Sequence, residues 1–339
     1  MKAVAYSIRP FEKELLAKAN QKKHDITLIS NPLNFDTAAY AAGKDAVIVF
    51  TNDDVSALVI DRLAALNVKY IATRSVGTDH IDKETAAKHG IKLSNVPSYS
   101  PKAIAEHAVA LAFALNRRLI KADHNTHHFD FRNDELIGFT FSGKTVGIIG
   151  LGNTGKETAK LFDGMGCKVI GYDQSIMDDI SFVSMVSLDD LLSTSDIISI
   201  HLPLTSQTQH LLDRNTTNKM KRGVMLINTS RGAVVNTRDV LSALDSGQIG
   251  YLGLDVYEFE KGLFFEDHEE DAVKDPLLVD LLNRENVIIT PHQGYLTREA
   301  LQEIAGQTIK NLDMWQQNKS AGDAYLFEKS SRQIAMKPN

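Results

Sequence analysis

Val146-Gly147-Ile148-Ile149-Gly150-Leu151-Gly152-Asn153-Thr154-Gly155, followed by a helical stretch and then Val169-Ile170-Gly171-Tyr172-Asp173, is the passage whose reading decides the fold. A short apolar run, Val146 to Ile149, enters three glycines, Gly150, Gly152 and Gly155, at the spacing of a dinucleotide-binding turn, and about 20 residues on a second apolar run ends in a carboxylate. Gly150 permits the tight turn, Gly152 lets a pyrophosphate approach bare backbone, and Gly155 lets the next helix pack close to its strand. The unpaired N–H groups at that helix start then face the phosphates. Asp173 can accept both ribose hydroxyls of an adenosine. It repels a 2′-phosphate, and Gln174, Ser175 and Ile176 supply no arginine to hold one, so the pattern predicts NAD rather than NADP. A GxGxxG string arises by chance in a chain of 21 glycines. The strand before it, the helix after it and the acid at the next strand end are what make it a site.

Outward from this turn, strands are predicted at 145–149, 168–172, 197–200, 224–227, 251–254 and 287–289, a doubly wound set, preceded by a long apolar-faced helix over 102–121 that starts just after Pro101. Upstream, short β-rich runs (Ala3 to Tyr6, Ile26 to Ile29, Ala46 to Phe50, Tyr70 to Thr73, Ile91 to Leu93) alternate with amphipathic segments such as Phe11 to Ala19 and Val55 to Leu66. Alternation implies a second parallel sheet, here without a phosphate loop of its own. Pro97 and Pro101 bracket a predicted interdomain crossing, Ser98-Tyr99-Ser100. The last amphipathic segment, Arg298 to Trp315, comes after the Rossmann strands are used up and is expected to return to the first domain. The predicted architecture is α/β: two Rossmann-like or flavodoxin-like doubly wound parallel-sheet domains with a cleft between them. Residues 1–100 plus 298–339 would form a discontinuous substrate (catalytic) domain and 101–297 the NAD-binding Rossmann domain, with a hinge at the two crossings.

A length of 339 residues exceeds what one core usually supports, which agrees with two domains. Hydrophobic residues at 43% and charged residues at 24% suffice for ordinary packed cores. The net charge of -6 gives no basic footprint for nucleic acid or an anionic membrane. The single cysteine, Cys167, cannot form an internal disulfide and reads as a buried inert thiol. With a strand-like Lys2 to Ser7 at the start, no signal-peptide pattern and no run of spanning length, a cytoplasmic protein is expected.

Three of the predicted second-domain strands run into unusual polar groups at their carboxyl ends, where doubly wound folds place ligands. Val224 to Ile227 leads to Asn228-Thr229-Ser230-Arg231-Gly232, Tyr251 to Leu254 to Asp255-Val256-Tyr257-Glu258-Phe259-Glu260, and Val287 to Ile289 to Thr290-Pro291-His292-Gln293-Gly294-Tyr295. An arginine grips a carboxylate at two points and polarises the adjacent carbonyl. A histidine can protonate a forming alkoxide, and a carboxylate on its far nitrogen orients the ring. Those are the needs of hydride transfer to a 2-keto acid, and none requires a metal. Singly, each has an ordinary alternative: Arg231 as a surface arginine, Glu260 as part of the acidic stretch that follows, His292 as one of eleven histidines. As a set on one sheet edge they read as a site. His124, His127 and His128 have the look of a metal cluster but lie in a polar stretch and are read as a solvated loop.

On these residues the chain resembles the D-isomer-specific 2-hydroxyacid dehydrogenases. The resemblance covers nearly the whole chain and extends to Arg74-Ser75-Val76-Gly77-Thr78-Asp79 and Asn95-Val96-Pro97-Ser98-Tyr99-Ser100-Pro101. Leu263-Phe264-Phe265-Glu266-Asp267 and His292-Gln293-Gly294-Tyr295-Leu296-Thr297 point to the fermentative D-lactate dehydrogenase branch. The resemblance implies that Arg231 binds and polarises the substrate, that His292 is the general acid/base and that Glu260 is its partner. Glu260 is preferred to Glu258 because the family's acid lies five residues beyond the strand-end aspartate, here Asp255. It further implies that the Val76 and Gly77 N–H groups hold the substrate carboxylate, that Tyr99 and Tyr295 line the pocket, and that Asp255, His201, Pro203 and Thr229 border the NAD held by the glycine loop. Asn153-Thr154 replaces a basic or imidazole residue and an isoleucine common in relatives, and Gly294-Tyr295 a small residue and a phenylalanine. The implied reaction is reduction of pyruvate to D-lactate by NADH, in a homodimer paired through the NAD-binding domain, with further assembly left open. The alternatives are a bulkier 2-keto acid and a non-catalytic NAD-sensing protein.

Overall fold

The computed structural model describes residues 1–175, 180–271 and 274–319; Ile176 and the 320–339 part of the expected first domain lie outside the described residues. The chain forms two compact units, one of 1–100 with the segment from Leu296 onward, the other Pro101–Tyr295.

The first unit carries β1 (Lys2–Ala5), α1 (Pro10–Asn20), β2 (Asp25–Leu28), β3 (Ala46–Val49), α2 (Ala57–Ala65), β4 (Tyr70–Thr73), α3 (Lys83–Lys88) and β5 (Lys92–Ser94), and, numbered in chain order, the last helix α11 (Arg298–Gln316). Its five strands are all parallel in the order β2-β1-β3-β4-β5, the flavodoxin-like order. Both faces are covered, so β3 reads Ala-Val-Ile-Val and every residue of it is buried. Val4, Val47 and Val49 pack with Val59, Ile60 and Leu63 on one face. Ala3, Ala5, Ile48 and Ala72 pack on the other with Ala305, Ile309, Leu312 and Trp315 of α11. The Trp315 ring stacks on Tyr70 at 4.8 Å between centroids and is 2% exposed, so truncating it to alanine would cost about 3 to 5 kcal/mol. Thr297 starts this helix by accepting the N–H of Ala300.

The second unit holds β6 (Thr145–Ile149), β7 (Lys168–Tyr172), β8 (Ser184–Met185), β9 (Ile197–Ile200), β10 (Val224–Asn228), β11 (Ile249–Leu254) and β12 (Val287–Ile289), again all parallel, ordered β12-β11-β10-β9-β6-β7-β8. Counted from β6 this is the Rossmann order extended by one strand, with the switch point between β6 and β9. The helices are α4 (Pro101–Asn116), α5 (Leu119–His127), α6 (Asn153–Gly164), α7 (Leu188–Thr194), α8 (Arg214–Thr217), α9 (Thr237–Asp245) and α10 (Pro276–Leu282). Helix α4 buries Ala108, Leu111, Ala112 and Leu115 against Ile148 and Ile227. It lies so close to β11 that a Cβ on Gly253 would come within 3.2 Å of Leu115 and 3.3 Å of Leu111.

Three expectations change. The helix predicted over 102–121 is two helices: Asn116 turns its amide onto both backbone groups of Phe139, and Arg118 takes a left-handed backbone (φ 45°) that breaks the run. His124 and His127 consequently lie on α5, with His128 at its end, in a solvated helix rather than a loop. Among the described residues no three metal-ligating side chains gather. Strand β8 escaped the sequence because it is two exposed residues without periodicity. Among the described residues no helix is long and apolar enough to cross a membrane.

Candidate active site

The glycine turn sits at the switch point of the second unit. Gly150 has φ 91°, and a Cβ there would stand 2.5 Å from the carbonyl oxygen of His201, so the β6 and β9 ends touch through bare backbone. A Cβ on Gly155 would fall 1.9 Å from the Gly150 oxygen, which is how closely α6 seats on the turn. Gly152 has open space instead, and as the N-cap of α6 it offers no side chain to the first N–H groups. That is the cradle a pyrophosphate requires. Asn153 and Thr154 open the helix, Asn153 exposed and Thr154 half-buried. Asp173 accepts the Leu151 N–H with Oδ2 (2.8 Å) and the Ser175 N–H with Oδ1 (2.9 Å). The carboxylate is fixed while each oxygen keeps a lone pair for a ribose hydroxyl. Thr229, at the end of β10, has a buried hydroxyl with no hydrogen-bond partner, a group suited to a cofactor amide. His201 retains some exposed surface, yet its ring is enclosed beside Ser199 Oγ (2.9 Å), and burial drives its pKa down to about 3, so it stays neutral. The Pro203 carbonyl accepts Thr208 Oγ1 at 2.6 Å, which pins the loop after β9.

Beyond β10, Asn228 shapes the next turn by donating to the Arg231 carbonyl (2.9 Å) and accepting from the Ser230 N–H (3.0 Å) and hydroxyl (2.7 Å). Arg231 Nη1 donates to the Ser230 carbonyl at 2.8 Å. A Cβ on Gly232 would lie 2.0 Å from the carbonyl carbon of Tyr257, so glycine is what lets the arginine turn rest against the loop beyond β11. In that loop the two glutamates have separate partners. Glu258 binds His210 Nε2 (2.7 Å) and the Thr237 N–H (2.9 Å). Glu260 accepts the Tyr257 N–H on Oε2 (3.0 Å) and meets His292 Nδ1 with Oε1 (3.0 Å). Only a quarter of Glu260 and 16% of the His292 side chain face solvent, and the Phe265 ring lies 5.8 Å from the imidazole.

His292 itself has φ 53°, a left-handed backbone uncommon outside glycine. Asp255 holds the turn around it, Oδ1 accepting Thr290 Oγ1 (2.6 Å) and the Gln293 N–H (2.8 Å), Oδ2 the Gly294 N–H (2.8 Å). Burial pushes the Asp255 carboxyl up, but the hydrogen bonds from His107 and Thr290 outweigh it and hold it below the usual carboxylate range. Asp255 therefore acts as the anchor of the His292 turn, with both oxygens engaged by it. His107 on α4 reaches both Thr290 Oγ1 (2.9 Å) and Asp255 Oδ1 (3.2 Å). Neither His107 nor the His210 to Glu258 pair was legible beforehand; an apolar-faced helix and a loop gave no signal of what their histidines would face.

The model for the NAD binding domain of the D-isomer specific 2-hydroxyacid dehydrogenases matches residues 109–294, the stretch that carries every residue of this constellation but His107. The chain belongs to that family. A D-lactate dehydrogenase of Curvularia clavata is 42% identical over 337 residues, 98% of this chain and 97% of the relative. The pyruvate reductase of Chlamydomonas reinhardtii superposes with a TM-score of 0.88 at 40% identity over 95% and 98% of the two chains. The D-lactate dehydrogenase of Aquifex aeolicus, solved with NAD and lactic acid, superposes with a TM-score of 0.85 at 31% identity over 93% and 96%. This family member is an NAD-dependent dehydrogenase, and its glycine turn, Asp173 and Thr229 fit the dinucleotide.

The remaining candidates of the dehydrogenase, Val76, Gly77 and Tyr99, lie in the first unit, whereas Tyr295 is the last residue of the second. The Ser75 carbonyl accepts the Val96 N–H (3.1 Å), and the Val76 carbonyl accepts Asn95 Nδ2 (3.0 Å). In trans peptides the N–H points opposite the C=O, so the Val76 and Gly77 N–H groups both turn away from those anchors. Ser75 Oγ completes the turn by donating to the Gly77 carbonyl at 2.7 Å. Two successive free-facing N–H groups of this kind suit an anion.

Proposed function

We propose that the protein is a D-lactate dehydrogenase that reduces pyruvate to D-lactate with NADH. The observation that carries the reading is the His292 to Glu260 contact at 3.0 Å on the strand-end edge that also bears Arg231. Arg231 takes the substrate carboxylate and polarises the neighbouring carbonyl, and the family resemblance assigns the Val76 and Gly77 N–H groups of the first unit to carboxylate binding. Tyr99 in the first unit and Tyr295 in the second are each assigned to substrate binding by the family resemblance. Bound NADH supplies the hydride. As C2 receives it, the carbonyl electron pair moves onto oxygen, and His292 delivers the proton of Nε2 to that oxygen while Glu260 stabilises the imidazolium that existed before transfer. Asp173, Thr229, His201, Pro203, Asp255 and the glycine loop serve the cofactor.

In this reading 1–100 with the segment from 298 is the substrate domain and 101–297 the NAD-binding domain. The protein acts as a homodimer paired through the latter. Supporting that, Ile120, Phe129, Phe131 and Ile137 are 65%, 86%, 71% and 78% exposed in one short stretch of the second unit, far more apolar surface than a solvated segment needs. A single cysteine, buried and free of any disulfide, and use of the NADH pool support a cytoplasmic location. The deciding experiment is turnover of a 2-keto acid panel with chiral analysis of the product. Pyruvate as the best substrate and D-lactate as the product are expected; a preference for branched or aromatic keto acids would replace the substrate, and no turnover would leave a nucleotide-binding protein.

A further inference from the structure

The left-handed backbone of His292 raises the question of what keeps a non-glycine residue there, since such a conformation persists only where its surroundings over-determine it. Its own N–H reaches the Thr290 carbonyl at 2.9 Å, and the next two N–H groups, of Gln293 and Gly294, end on the two oxygens of Asp255. There is no slack in that turn: a Cβ on Gly294 would stand 2.9 Å from Asp255 Oδ2 and 3.5 Å from the His107 ring. The aim of the His292 imidazole is thus set by where the Asp255 carboxylate points.

What points Asp255 is a short chain of donors from α4. Thr290 has one hydroxyl proton, and its 2.6 Å contact with Asp255 Oδ1 uses it, so the Thr290 oxygen is the acceptor toward His107 Nε2 at 2.9 Å. The same His107 N–H lies 3.2 Å from Asp255 Oδ1. Asp255 is 2% exposed in its side chain and His107 17%, so this is a largely dry contact to a buried carboxylate, where each lost donor is costly.

We propose that His107 is a positioning residue of the dehydrogenase: through Thr290 and Asp255 it holds the 290–294 turn, and with it the acid nitrogen of His292, in the reacting arrangement. The proposal rests on the reading of His292 as the proton donor. A displacement of about 1 Å at a reacting group can cost about a hundred-fold in rate, so the effect belongs in kcat and not in cofactor affinity.

The test is steady-state pyruvate reduction with NADH by the full chain carrying His107→Leu, His107→Gln, Thr290→Val or His292→Gln, with NADH affinity read by fluorescence titration. His107→Leu lowers kcat by about ten-fold or more and leaves NADH affinity within about two-fold. His107→Gln, whose amide nitrogen reaches the place of Nε2, restores kcat to within about three-fold of the parent. The double variant of His107→Leu and Thr290→Val is no slower than the slower single one, because both break one chain. A His107→Leu enzyme at parental kcat overturns the proposal, as does a His107→Gln enzyme as slow as His107→Leu. Should His107→Leu fail to fold, the comparison of His107→Gln with His107→Asn, which is one methylene too short, decides in the same way. If His292→Gln turns over normally the reading of the site fails; if it is dead while His107→Leu is fast, only the positioning role fails.

Discussion

His292 and Glu260 meet through Nδ1 and Oε1 at 3.0 Å although 32 positions separate them in the chain. They follow β12 and β11, which are paired neighbours in the sheet, so their convergence is a product of strand order. The Tyr257 N–H occupies the other Glu260 oxygen, which stops the carboxylate from rotating, and the ring's Nε2 is left on the edge away from Glu260.

From that geometry, His292→Ala should lower pyruvate reduction by about a hundred-fold or more while NADH still binds. Glu260→Gln keeps the hydrogen-bonding shape and removes the charge, so a smaller loss, about ten-fold, is expected. Stopped-flow turnover beside a fluorescence titration checks both. Turnover within a few-fold of the parent in His292→Ala would remove it from the proton path.

Arg231→Lys should raise the apparent KM for pyruvate and slow kcat, because an ammonium is a point charge and cannot make the planar two-point contact. Kinetics indistinguishable from the parent would take Arg231 out of the site.

Asp173 should favour NADH over NADPH by about ten-fold or more in kcat/KM, about 1.4 kcal/mol or more of discrimination. Because its Oδ2 also braces the Leu151 N–H, Asp173→Ala should weaken NADH as it narrows the preference. Equal rates with the two nucleotides in the parent enzyme would contradict this role.

Stability should fall on mild acidification. His201 titrates near 3 in the folded chain because burial disfavours its charged form, against 6.5 when unfolded, so between those values the unfolded chain binds a proton that the native one does not. Stability therefore rises with pH through this window and is lost as pH drops from 6.5 toward 3. Asp255 adds in the same direction lower down, its contribution present above 3.8 and lost as pH falls below that. Melting temperatures of the parent between pH 7 and about pH 4.5 should decline, and less steeply in His201→Asn. An identical slope in the variant would place the acid sensitivity elsewhere.

Phe129→Ser with Phe131→Ser should yield a monomer or a concentration-dependent dimer by light scattering, as both side chains are more than two-thirds exposed in the single chain. A dimer as tight as the parent's would move the interface to another face.

The glycine turn was legible because its parts are local: apolar strand, three glycines, helix and an acid at the next strand end, each required by backbone geometry within one βαβ unit. The fate of α4 was not. Its apolar face runs on toward Lys121 in sequence, but the Asn116 side-chain amide pairs with the backbone of Phe139 and Arg118 turns left-handed, so the helix stops where a distant segment captures its last side chain. For the same reason His124 and His127 could be recognised as solvated yet not as helical.

Residue types in a row were enough to establish two parallel α/β sheets, a dinucleotide turn and an arginine, a carboxylate and a histidine at strand ends, because side-chain period and turn chemistry act over a few residues. Folding in three dimensions settled the pairings: Glu260 with His292 and Glu258 with His210, and His107 with Thr290 from 183 positions away. Such contacts depend on which strands become neighbours and how closely a helix seats on them, and no local pattern encodes that distance.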